Sequence, residues 1–119
     1  MLVAVKRTER KTKKVNYTFE ERRWRNIEVG QIIKLKDNQY FPCDVLVLNS
    51  SLPKGICYVE TKNLDGETNL KNKYAPKSGL ARAEDDQKVM TNFNESIIEC
   101  ETPNEFLYKY QGNVKFSKD

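Results

Sequence analysis

Histidine is absent from the 119 residues. That excludes zinc-binding His helices, Ser-His-Asp triads and Cys-His dyads together, because each needs an imidazole as ligand or base. Cysteine is scarce and odd in number: Cys43, Cys57 and Cys100 lie far apart and form no CxxC pair. That spacing argues against a disulfide framework and against a zinc site, and it fits a reducing cytosol. Long apolar runs are missing as well. Met1 to Val5 and Val45 to Leu48 are the longest, far short of the ~20 residues a membrane-spanning helix needs. No signal-peptide pattern is visible, since Met1 to Val5 run straight into Lys6, Arg7 and Arg10. What is present is 38% hydrophobic and 32% charged. The length fits one domain, able to bury roughly two-thirds of its unfolded surface.

The net charge of +4 is unevenly placed. Residues 1–14 hold Lys6, Arg7, Arg10, Lys11, Lys13 and Lys14 against Glu9, a local +5; residues 15–75 carry +1 and residues 76–119 carry −2. The basic excess therefore belongs to 1–14, read as a solvated tail or linker, and residues 15–119 form the body. A cytosolic stretch leaving a membrane helix would also look like 1–14, because such loops are rich in Lys and Arg. A nucleic-acid module usually carries its positive charge on the folded face instead.

Most of the body reads as short strands between turns. Val15 to Phe19 alternates apolar and polar residues, and Ile33 and Leu35 alternate with Lys34 and Lys36. Gly30 and Asp37-Asn38 mark turns. Val45 to Leu48 is apolar at every position, which predicts a central strand covered on both faces. Ile56 to Thr61 is β-branched and aromatic, another strand. Leu80 to Phe93 predicts a helix with Leu80, Ala83, Met90 and Phe93 sharing part of one face. Ile98 and Cys100 resume a strand, and Leu107 to Phe116 reads as a hairpin around Gly112. About seven such strands suggest a compact barrel or sandwich. The three cysteines sit on strand-like stretches and are expected as small core residues.

The chemistry concentrates in Glu60-Thr61-Lys62-Asn63-Leu64-Asp65-Gly66-Glu67-Thr68-Asn69-Leu70-Lys71. A strand ends there, and Glu60, Asp65 and Glu67 follow in quick succession. Gly66 can take a positive φ or let a partner approach the backbone. An acid on a sharp projecting turn suits the orientation of a water for attack. By itself Asp-Gly is also an ordinary turn dipeptide. Lys62 and Lys71 flank the loop, where they would neutralise phosphate charge or simply stay solvated.

Asp65-Gly66-Glu67-Thr68, continued by Asn69-Leu70-Lys71, resembles the D-G-E-T signature of the actuator domain of P-type ATPases of the phospholipid flippase subfamily. Cation pumps carry T-G-E at that place, so Asp65 favours lipid over ion. Trp24, Ile27, Val29-Gly30, Ile33, Phe41-Pro42-Cys43-Asp44, Cys57 to Thr61 and the later Cys100-Glu101, Pro103-Asn104, Leu107-Tyr108 and Gly112 extend the similarity. Gln31 and Cys43 depart from the family's usual Asp and Ala. The resemblance implies a mainly-β fold, a distorted jelly-roll of double-stranded β-helix type with one short helix, of which 15–119 is a partial domain. It implies that Glu67 positions the water that hydrolyses an aspartyl phosphate, with Gly66 allowing close approach and Asp65 and Thr68 shaping the loop.

The phosphorylated aspartate, the nucleotide site and the membrane helices have no counterpart in the chain. ATP and magnesium are therefore expected only in a full-length parent, with no cofactor or metal held by this piece. The implied partners are the phosphorylation and nucleotide-binding domains of the same polypeptide, a phospholipid reached through membrane helices, and room for an accessory subunit, at the cytosolic face of a membrane. The alternative from another class is a small β-barrel binding single-stranded nucleic acid through the basic tail. The flippase reading expects no nucleic acid as partner.

Overall fold

A computed structural model of the chain describes residues 1–76, 85–93, 96–101 and 112–115. Strand β1 (Leu2–Thr8) and strand β2 (Val15–Glu21) form an antiparallel hairpin, from Leu2 opposite Glu21 to Thr8 opposite Val15. The short β3 (Ile33–Lys34) joins the other edge of β1, giving the order β2-β1-β3. Alternation along the paired strands puts Val3 and Tyr17 on opposite faces of this sheet, and both are buried.

The expected tail at 1–14 is thus corrected in its first half, where Leu2–Thr8 is the central strand of a sheet. Its charge count is dominated by residues beyond Val5, and these do face water: Lys6, Arg7 and residues 9–14 are exposed. The strand itself is fixed by non-local pairing with β2, which a charge count cannot register.

The second sheet is a hairpin of β4 (Ile56–Val59) and β5 (Lys71–Tyr74), and the third pairs β6 (Ile97–Cys100) with β7 (Gly112–Lys115). Seven strands among the described residues make the fold mainly β, as expected. Two α-helices accompany them rather than one: α1 (Lys62–Asp65) and α2 (Asp86–Phe93). Leu80, Ala83, Leu107, Tyr108, Tyr110 and Phe116 fall outside the described residues.

Helix α2 covers the first sheet. Val89, Met90 and Phe93 are its buried face, and Ile32, Leu48 and Val114 pack against Val89 and Phe93. Because β2 is an edge strand, its outward backbone groups need partners. Gln87 supplies them: the Tyr17 N–H donates to Oε1 at 3.0 Å, and Nε2 donates to the Tyr17 carbonyl at 2.6 Å. Lys34 adds an ion pair to Asp86 at 3.0 Å while lying over the Phe19 ring.

Residues 45–48 correct a second expectation. They form no strand, and Leu46, Val47 and Leu48 are half-buried while Val45 is exposed. An unbroken apolar run signals burial, and here burial is met in part by Leu48 packing on α2, without a ladder partner. Of the cysteines, only Cys57 is partly buried, whereas Cys43 and Cys100 are exposed rather than in the core. Burial pushes the Cys57 thiol up, against the pull of nearby Lys73. No helix among the described residues is long and apolar enough to cross a membrane.

Candidate functional site

The β4–β5 ladder sets the geometry of the signature loop. Val59 ends one strand opposite Lys71, which begins the other, so residues 60–70 close over a fixed base. That base is tight. Gly55 precedes β4 with φ +65, its carbonyl accepts the Ala75 N–H at 3.0 Å, and a Cβ built on it would lie 2.6 Å from the Ala75 Cβ. Only glycine fits there without displacement.

Within the loop the chain makes one turn of helix, Lys62–Asp65, starting after Thr61 and ending at Gly66. Gly66 is the left-handed C-cap, with φ 76 and ψ −4, and its N–H donates to the Lys62 carbonyl at 2.9 Å. This conformation is where glycine is favoured over any residue with a Cβ. Nothing lies within 4 Å of where a Cβ would be, so the backbone at Gly66 is open to an approaching group.

Asp65 is the hub. Its side chain is 5% exposed. It accepts from the Thr61 hydroxyl, whose Oγ1 lies 3.0 and 2.9 Å from the two carboxylate oxygens, and from the Glu67 N–H at 2.9 Å. Lys71 Nζ donates to it at 2.9 Å. A carboxylate so withdrawn from water needs such charge-assisted partners to stay ionised. Lys71 Nζ also lies 3.0 Å from Glu67 Oε2, making one ammonium the bridge between both acids. The Asp65 and then the Glu67 hydrogen bond hold the Lys71 ammonium well above the usual lysine range.

Glu67 itself points outward with its side chain 54% exposed. Thr68 and Asn69 are exposed beyond it, as are Leu64 at 65% and Leu70 at 63%. The loop thus gathers Asp65, Gly66 and Glu67 at one turn and leaves Thr68 on its rim. Of the two flanking lysines, Lys71 enters the network and Lys62 stays exposed on α1. Thr61 and the bridging role of Lys71 escaped the sequence, because β5 and α1 carry no clear pattern of their own; the spacing of Thr61 to Asp65, four apart, was the available sign. Chemically, the arrangement offers one outward carboxylate held by a fixed neighbour.

No family model matches the chain. Individual proteins do. Over 100 residues it is 44% identical to phospholipid-transporting ATPase 1 of Arabidopsis thaliana, covering 84% of the chain and 8% of that protein. Phospholipid-transporting ATPase FetA of Mus musculus is 44% identical over 102 residues, 86% of the chain and 8% of the mouse protein. Phospholipid-transporting ATPase dnf2 of Schizosaccharomyces pombe is 42% identical over 97 residues, 82% of the chain and 7% of that protein. The resemblance to the flippase class of P-type ATPases is borne out: the chain is homologous to a segment of the phospholipid-transporting ATPases. It spans less than a tenth of the length of these relatives.

Proposed function

We propose that this chain, with its first strand Leu2–Thr8 included in the folded unit, is part of the actuator domain of a phospholipid-transporting P-type ATPase. On this reading the Asp65-Gly66-Glu67-Thr68 loop docks on an aspartyl phosphate in another domain of the same polypeptide. Glu67 accepts a proton from a water as its oxygen attacks phosphorus. The bond from phosphorus to the aspartyl oxygen breaks, releasing inorganic phosphate and regenerating the aspartate carboxylate. An acyl phosphate is already reactive, so catalysis needs mainly positioning and charge placement. ATP and magnesium act in those other domains and form the phosphorylated aspartate; this chain supplies the group that removes the phosphate. Carrying that group on a movable domain at the cytosolic face would let lipid binding time the hydrolysis.

The observation that supports this reading most is the exposure of Glu67, 54%, directly beside an Asp65 side chain that is 5% exposed. One acid, bridged to Lys71, still faces outward to meet a partner, while the other is spent on holding the turn. The test is the phosphoenzyme of the full-length parent carrying Glu67→Gln. Its formation from ATP should be normal and its decay slowed by about 10²–10⁴-fold, the usual contribution of a general base. Decay at the wild-type rate would remove Glu67 from the role.

A further inference from the structure

We infer that Lys71 is a positioning residue for Glu67, acting through a bridge that also ties down Asp65. The inference rests on the actuator reading and adds a regulator of the same site. Its basis is geometric. The Lys71 ammonium sits 2.9 Å from Asp65 Oδ2 and 3.0 Å from Glu67 Oε2. Its backbone is anchored as the first residue of β5, opposite Val59. Asp65 is anchored from the other side by the Thr61 hydroxyl and by the Glu67 N–H. The loop is therefore closed into a ring, strand to lysine to Asp65 to the Glu67 backbone, with the Glu67 carboxylate gripped at its tip.

Two consequences follow for the reaction. An exposed glutamate ordinarily samples several rotamers, and the bridge holds this one in a single orientation before docking, which is the kind of preorganisation that positions an attacking water. The ammonium also offsets one of the two adjacent carboxylates, so the loop approaches a phosphate with less repulsion than Asp65 and Glu67 alone would produce. A lysine three residues past the Asp65-Gly66-Glu67-Thr68 signature is thus as much a part of the loop as the acids.

Phosphoenzyme decay in the full-length parent tests this with Lys71→Met, Lys71→Arg, Glu67→Gln and the Glu67→Gln/Lys71→Met pair. Lys71→Met should form phosphoenzyme normally but lose it roughly 10- to 100-fold more slowly, the scale on which small misplacements act. Lys71→Arg should recover most of the rate, since a guanidinium can span both acids. The double variant should decay no more slowly than Glu67→Gln alone, because Lys71 acts through Glu67. If Lys71→Met forms no phosphoenzyme at all, Asp65→Asn, which weakens the same tie and keeps the shape, must show the slow decay with normal formation. The inference is overturned if Glu67→Gln is slow while Lys71→Met, or in that event Asp65→Asn, decays at the wild-type rate. It is equally overturned if the double variant is slower by the full Lys71→Met factor, or if Lys71→Arg recovers nothing. Wild-type decay in Glu67→Gln would instead sink the actuator reading, and this inference with it.

Discussion

The β1–β2 and β4–β5 hairpins both have charged connections among the described residues, and they use charge in opposite ways. Between β1 and β2, Glu9, Arg10, Lys11, Lys13 and Lys14 stand exposed around the turn, where Thr12 Oγ1 donates to Glu9 and the Glu9 N–H donates to the Lys14 carbonyl. Further down, Arg7 meets Glu20 across the strands in an exposed pair. Such pairs contribute little to stability, typically under about 1 kcal/mol. Between β4 and β5, Asp65 is drawn nearly out of water and Thr61, Lys71 and the Glu67 backbone converge on it. Density of charge is thus a poor guide to a site, whereas the withdrawal of one charge from solvent, with its partners built around it, marks a loop whose shape is specified.

The largest expected difference between the two is in stability. Asp65→Ala strands the Thr61 hydroxyl and the Glu67 N–H and should cost about 1–3 kcal/mol in urea unfolding of the 119-residue chain. Glu9→Ala, at the exposed tip, should stay within about 0.5 kcal/mol. Equal losses at the two positions would erase the distinction between the hairpins.

Backbone conformation gives a second, smaller contrast. Each connection has a residue with positive φ, Gly66 at 76° in one and Lys13 at 55° in the other. Gly66→Ala should destabilise by about 1 kcal/mol from backbone strain alone, since no atom crowds its Cβ position. Lys13→Gly should relieve the same strain and change the unfolding midpoint slightly upward, by less than about 1 kcal/mol once the added freedom of the unfolded glycine is counted. A thermal unfolding series of the two variants reads both signs; a loss at Lys13→Gly as large as at Gly66→Ala would mean that the basic turn is as closely specified as the acidic one.

The same contrast explains what was legible in the sequence. Local signals worked where local chemistry decides: alternation gave β2, β-branched and aromatic residues gave β4, and Gly30, Asp37-Asn38 and Gly66 fell at turns. They failed where a distant partner decides. Lys71–Tyr74 reads Lys-Asn-Lys-Tyr, with little strand propensity, and becomes β5 because β4 offers it a ladder. Leu2–Thr8 hid behind its own basic residues in the same way. For the candidate site, Asp65, Gly66 and Glu67 were visible as a motif, but the ring that closes on Lys71 exists only once β5 does. The apolar run 45–48 erred in the other direction, since hydrophobicity reports burial and says nothing about which backbone groups pair.

The smallest expected effect is on the alkaline side, and its sign follows from the bridge. Lys71 is held protonated by Asp65 first and Glu67 second, so its folded pKa lies above its unfolded value of roughly 10.4. A group raised in this way contributes its stability in full below the unfolded value and loses it as pH rises through the folded one. Stability from this source should therefore be flat through neutrality and begin to fall only above about pH 10. With the Lys71 side chain 24% exposed, solvent screening keeps the slope shallow. Urea midpoints of wild type and Lys71→Met between pH 8 and 11, chosen to bracket the ordinary lysine range, would isolate it. The wild-type advantage should be constant at the lower end and shrink toward the upper. An advantage that instead grew with pH would mean the lysine is easier to deprotonate when folded, which a cation gripped by two carboxylates cannot be.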